Sequence, residues 1–155
     1  MFLNIVLFEP EIPQNTGNIA RTCVLTNCKL HLIEPLGFSL DEKHLKRAGL
    51  DYWDFLDLEI HKSYEDLRNK YKEANFYFST THGSKLYTQV NYKEGDFIIF
   101  GKESAGLPNY IRDSQEGNCI RVPMIETTTR SLNLSNTVAI VAYEGLRQLN
   151  FPGMK

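Results

Sequence analysis

Apolar positions along the chain fall into short unbroken runs separated by polar, amphipathic stretches. Leu3 to Phe8 is the first such run, and Glu9-Pro10 closes it. A run of this length with no polar alternation suits a strand covered on both faces. Leu30 to Ile33 (stopped by Glu34-Pro35), Leu56 to Ile60, Phe76 to Thr80, Phe97 to Phe100 and Cys119 to Val122 repeat the pattern. Between them lie helical signals. Asn15-Thr16-Gly17 is placed to cap a helix over about 18–26, and Asp41 to cap one running to Ala48. Ser63-Tyr64-Glu65-Asp66 resembles a capping box opening a helix to about Lys72, and Pro108 suits the first turn of a short helix. Leu134, Val138, Val141, Ala142 and Leu149 keep one stripe of a last helix that ends near Asn150. Strands alternating with helices predict an α/β fold with a mostly parallel sheet flanked by helices. No internal repeat or linker divides residues 1–155, so a single domain is expected.

Composition adds constraints but no activity. Hydrophobic residues at 42% and charged residues at 23% are ordinary for a globular chain with a real core. The net charge of -2 gives no global attraction to nucleic acid, so any RNA contact must use a local basic patch. Lys43, His44, Lys46 and Arg47, beside Tyr52 and Trp53, form the one tight basic cluster. Such a run is as readily a solvated helix face. Cys23, Cys28 and Cys119 lack paired spacing, and the four histidines do not fall at metal-ligand spacing along the chain, so no metal is expected. No basic leader follows Met1 and no apolar run nears the roughly 20 residues of a membrane helix. A cytoplasmic location is the expectation.

In open parallel sheets, ligands collect in loops at the carboxyl ends of strands. Three loops here are rich in glycine and polar residues: Pro13 to Arg21, Gly101 to Pro108, and Pro123 to Ser135. Gly101 and Gly106 have P-loop spacing, but Leu107-Pro108 stands where Lys and Ser or Thr are needed. No strand is followed by G-x-G-x-x-G, and no nucleophile elbow is present. Dinucleotide binding and hydrolysis through a covalent nucleophile are therefore disfavoured.

The same loops match another pattern. N-x-G-N-I-x-R at Asn15 to Arg21, G-x-E-x-x-G-L-P at Gly101 to Pro108 and R-S-L-N-L-S at Arg130 to Ser135 resemble the three motifs of SPOUT-superfamily RNA methyltransferases. The opening Leu3 to Pro13 and the segment Arg47 to Tyr52 resemble the TrmL-like branch, which methylates the ribose 2′-hydroxyl of the tRNA wobble nucleotide. The resemblance covers nearly the whole chain. One departure is that Ile125 to Thr129 runs one residue longer than the family pattern, which bears on the placement of Arg130.

The resemblance implies a C-terminal trefoil knot, S-adenosylmethionine as methyl donor, tRNA as substrate, and a homodimer with an active site shared between subunits. It makes Arg21 the catalytic residue, with Asn18 beside it, and Ser79, Gly101, Gly106, Val122, Ser131 and Leu132 the cofactor contacts. Lys43, Lys46, Arg47 and Arg130 become the RNA contacts. A guanidinium is a poor base, so clamping phosphate and stabilising a developing alkoxide suits Arg21 better than proton removal. Each assignment has a plainer counterpart. Taken without the motif, Arg21 reads as a surface arginine, and Asn15, Gly17 and Asn18 around it reverse that preference. Gly101 and Gly106 also read as tight-turn glycines, and Asn133 and Ser135 as helix caps. Glu103 fits a loop-orienting role, while Tyr143 and Glu144 stay open between core, interface and site. Two rivals to the wobble-nucleotide enzyme remain within the same fold, a 2′-O-methyltransferase for another tRNA or ribosomal RNA nucleotide and a non-catalytic RNA-binding module. A third is an α/β protein for a different nucleotide.

Overall fold

A computed structural model describes residues 2–41, 52–126 and 130–155. Seven strands form one sheet: β1 (Asn4–Phe8), β2 (Lys29–Ile33), β3 (Leu58–His61), β4 (Phe76–Ser79), β5 (Lys85–Leu86), β6 (Phe97–Phe100) and β7 (Cys119–Arg121). Their spatial order is β3-β2-β1-β6-β4-β7-β5, and every ladder between them is parallel. Four helices are described: α1 (Pro13–Thr26), α2 (Tyr64–Lys70), α3 (Asn109–Ser114) and α4 (Leu134–Gln148). The α/β class read from the apolar runs is the observed one.

Successive strand residues point to opposite faces, and β1 shows the consequence. Leu3, Ile5 and Leu7 pack with Ile19, Ala20 and Cys23 of α1 and with Val138, Val141, Ala142 and Leu146 of α4. Val6 and Phe8 face the other way, toward Leu67 of α2 and Ile111 of α3. Both faces are covered, which is why β1 and β6 carry no exposed position. Each fully buried aliphatic side chain contributes about 2 kcal/mol.

Boundaries differ where a distant partner decides them. The first helix begins at Pro13, not near residue 18, and Asn15, Thr16 and Gly17 lie inside it, buried. Ile12 at its N-cap supplies no side-chain bond. β3 starts two residues later than its apolar run, because Trp53–Phe55 forms a 3-10 turn that ends at Leu56. β5 has only two residues and no apolar pattern to announce it. The predicted helix from Asp41 to Ala48 falls on residues that, from 42 on, lie outside the described part, as do Lys43, Lys46 and Arg47.

The β2–β3 register sets Glu59 opposite His31 and His61 opposite Ile33. His31 is fully buried, and a hydrogen-bond chain serves both its ring nitrogens. Asn4 Nδ2 donates to the Gly95 carbonyl at 3.2 Å, so Asn4 Oδ1 is left to accept from His31 Nε2 at 2.9 Å. His31 Nδ1 must then accept, and His61 Nε2 donates to it at 3.0 Å. Burial, reinforced by the neighbouring His61, pushes the His31 pKa down from 6.5 to about 3.

This shift has a definite sign. Above pH 6.5 His31 is neutral folded or unfolded and contributes no pH dependence. As pH falls below 6.5 the unfolded chain binds a proton that the folded chain refuses, so stability declines down to the folded value near 3. Acidification from pH 6.5 to 5 is expected to cost about 2 kcal/mol at this residue. Melting curves should show that loss, and His31→Gln, which keeps a donor for Asn4 but does not titrate, should flatten the slope between pH 6.5 and 5. An unchanged slope in that variant assigns the acid sensitivity to other groups.

Candidate active site

The carboxyl ends of β1, β4, β6 and β7 open into one cleft of about 670 Å³, within the ordinary range for small-molecule sites. Ser79 and Thr80 line it after β4, the loop from Gly101 to Leu107 after β6, and Val122 and Met124 after β7. Arg130 to Leu134 close it from the start of α4, and Ile12 and Asn15 from the start of α1. Three loops far apart in sequence thus meet because the parallel register aligns their strand ends.

The loop after β6 owes its shape to its two glycines. A Cβ on Gly101 would lie 2.2 Å from the Gly106 carbonyl carbon and 2.3 Å from the Leu107 nitrogen, so only glycine closes the turn. Gly106 sits at φ +67, the left-handed region, and its N–H donates to the Lys102 carbonyl at 2.8 Å. The tight-turn reading therefore accounts for both glycines.

Glu103 joins this loop to α1. Its Oε2 accepts the backbone N–H of Glu11 at 2.8 Å and of Ile12 at 3.1 Å. These lie at the helix N-terminus, where N–H groups lack intrahelical partners and a negative charge opposes the macrodipole favourably. In return Glu11 Oε1 accepts the Ser104 N–H at 2.9 Å, and the bonds to Ser104 hold the Glu11 carboxyl below its ordinary range. Glu103 Oε1 is buried with no hydrogen-bond partner among the described residues, although Glu103 lines the cleft. At the other end of the cleft, Asn133 caps α4 by accepting the Ser135 and Asn136 N–H groups at 2.9 and 3.4 Å. Asn133 Nδ2 also donates to Asn15 Oδ1 at 3.0 Å, which ties α4 to α1.

Ser79, Gly101, Gly106, Val122, Ser131, Leu132 and Arg130 all line this cleft. Asn18 and Arg21 do not. Both are exposed on α1, outside the lining of the cleft in their own chain. The Arg21 guanidinium lies 5.1 Å over the Tyr52 ring, and the Tyr52 hydroxyl donates to the Gly17 carbonyl. Asn15, Lys102 and Glu103 line the cleft as neighbours of the motif residues, whereas His82 and Arg112 had no sequence signal. Tyr143 is exposed, and Glu144 is held by Arg147 at 2.8 Å and Gln148 at 2.8 Å; neither lines the cleft.

The sheet also gathers residues that spacing along the chain kept apart. His31, Glu59 and His61 bring three potential metal ligands within 4.8 Å of one another. Most of these groups already have partners, however. Glu59 takes Lys29 at 3.0 Å, Lys70, and the Tyr71 hydroxyl at 2.5 Å, while the histidines bond to each other. Burial pushes the Glu59 pKa up, but those three donors outweigh it and hold the carboxyl at about 2. Two ammonium groups against one carboxylate leave the spot net positive, so a dication is disfavoured there.

Residues 2–143 match the model of the SpoU rRNA Methylase family. The chain belongs to that family. A Yersinia pestis protein named tRNA (cytidine(34)-2′-O)-methyltransferase is 49% identical over 157 residues, covering 97% of this SpoU-family chain and 96% of its own. A solved structure described as "Structural insights into the 2-OH methylation of C/U34 on tRNA" is 42% identical, with a TM-score of 0.88 over 96% of each chain. The SpoU methyltransferase AviRb from Streptomyces viridochromogenes, solved in complex with AdoMet, shares the fold at 21% identity. Its TM-score is 0.80, over 96% of this chain and 61% of AviRb.

The trans cap generates a prediction. Glu103→Ala should lower stability by about 1–2 kcal/mol, the usual cost of losing a helix cap. In a chain of this size that is a fall of a few degrees in melting temperature. Glu103→Gln keeps an acceptor but loses the charge and should fall between the two. Wild-type melting in Glu103→Ala would show that the α1 N-terminus is held by other means.

Proposed function

We propose that this SpoU-family chain transfers a methyl group from S-adenosylmethionine to the ribose 2′-hydroxyl of the wobble nucleotide, position 34, of a tRNA. The observation that carries the reading is the meeting at one cleft of the second and third motif loops with Asn15 of the first motif, in a chain matched nearly end to end by a relative named for that reaction. The cleft suits the donor. Its unpartnered Glu103 Oε1 can accept one of the N–H or O–H groups that an adenosyl amino acid offers, and the volume is ample. Ser79, Gly101, Gly106, Val122, Ser131 and Leu132 are the residues we assign to hold it. When bound, the donor supplies a methyl on a sulfonium, already a good leaving group, so the chain's own task is placement. Arg21 clamps the RNA and stabilises the charge emerging on the attacking oxygen, with Asn18 beside it, and Arg130 holds phosphate at the cleft mouth. Lys43, Lys46 and Arg47 are assigned to the RNA surface on sequence grounds.

We further infer that the active form is a homodimer with shared sites. Asn18 and Arg21 lie outside the cleft of their own chain, which is what a site completed by a second copy requires. The chain is read as one cytoplasmic domain whose C-terminal segment carries the family's trefoil knot. Among the described residues no helix is long and apolar enough to cross a membrane. Sedimentation at micromolar concentration is expected to give twice 17.9 kDa, and a fully active monomer would refute the shared site.

The substrate is tested with labelled S-adenosylmethionine and total tRNA, followed by mapping of the modified nucleotide. Label at position 34 is expected. Label in ribosomal RNA alone would move the chain to the second reading, which the family's description as an rRNA methylase keeps in view. Arg21→Ala should leave the fold and donor binding intact and slow single-turnover methylation about a hundredfold at saturating tRNA. Arg21→Lys keeps the charge without the planar fork and should recover little. A near wild-type rate in Arg21→Ala would make Arg21 structural.

A further inference from the structure

We propose that Tyr52 is the positioning residue for Arg21. The inference rests on the reading of Arg21 as the charge partner of the reacting oxygen, and it concerns how one exposed side chain is kept ready. Arginine has many rotamers, and a guanidinium in solvent samples them unless something selects a few. Among the described residues no carboxylate pairs with Arg21. Its guanidinium instead lies over the face of the Tyr52 ring, 5.1 Å from the centroid, within the range of a cation–π contact.

Tyr52 is itself anchored to the helix that carries Arg21. Its hydroxyl donates to the Gly17 carbonyl, the oxygen toward which helical i to i−4 geometry directs the Arg21 backbone N–H. The ring and the backbone beneath the guanidinium are therefore referenced to the same point of α1. The 3-10 turn Trp53–Phe55 follows directly, with the Phe55 N–H bonded to the Tyr52 carbonyl at 3.0 Å, which braces the tyrosine from its other side. Hydroxyl and ring have separable roles. The hydroxyl fixes the ring against α1, and the ring fixes the guanidinium. A displacement of about 1 Å in a positioned group is enough to slow chemistry strongly, which gives this second contact leverage on the rate.

Variants at Tyr52 test this in single-turnover methylation with tRNA and S-adenosylmethionine both saturating, after melting curves confirm folding. Tyr52→Leu removes the ring and is expected to slow the chemical step about tenfold, with the KM for S-adenosylmethionine unchanged. Tyr52→Phe keeps the ring and should retain most of the rate, so the conservative variant rescues. The deciding measurement is the pair with Arg21→Ala. If Tyr52 acts through Arg21, adding Tyr52→Leu to Arg21→Ala costs nothing further, whereas independent effects multiply. Multiplying effects would overturn the proposal. So would a Tyr52→Leu protein that keeps its saturated rate and loses tRNA affinity, because the ring would then be stacking on RNA. Failure of the Arg21 reading looks different. There Arg21→Ala alone is as fast as wild type.

Discussion

The turn that leads into α1 presents the backbone N–H groups of Glu11 and Ile12, and the helix has no local side-chain cap. Their acceptor is a carboxylate that the parallel register of β1 and β6 delivers from about ninety residues away, Glu103. Because Glu11 returns a bond to Ser104, the loop after β6 and the start of α1 cannot move independently. Asn133 repeats the arrangement, capping α4 while holding Asn15. The cleft is thus bounded by two helix N-termini, each tied to another wall. N-terminal N–H groups and positive dipole ends favour anionic or carboxylate ligands at such a place.

The same helix divides the labour of the site. Positions 15 and 21 are six residues apart, so at about 100° per residue their side chains leave the axis roughly 120° apart. Asn15 is committed to the cleft by Asn133, and Arg21 must therefore look elsewhere, over Tyr52. Arg21 and the cleft thus lie on different sides of α1 in one chain, which is the geometry that the proposed shared site starts from.

Much of this was legible because covered parallel strands announce themselves as unbroken apolar runs. Phe97–Phe100 was read to the residue. Two-residue β5 has no run to read, and the start of α1 was misplaced because Asn15, Thr16 and Gly17, read as its cap, are buried inside a helix that starts on Pro13. His31 and His61 are remote in sequence and adjacent only through strand register, so spacing rules for metal sites could not see them. The second and third motif loops line the cleft, whereas the first motif lies within α1 and brings only Asn15 to it. His82 and Arg112 carry no local signature, and only the fold brings them there.

A chain with net charge -2 that binds a polyanion must gather its cations locally. At the cleft, Lys102 is partly answered by Glu9 at 3.7 Å, and Arg130 is an exposed lining residue. Arg21 is exposed on the outward face of α1. In the shared-site reading, Arg21 of one chain and Arg130 of the other would serve the same RNA, so the cations would gather only on assembly. Acidic composition then suppresses non-specific binding by the isolated chain, since sequence-independent affinity for nucleic acid grows with each phosphate neutralised. Dimerisation would serve two ends with one contact, completing the chemistry and confining the attraction for RNA to the place where the chemistry occurs.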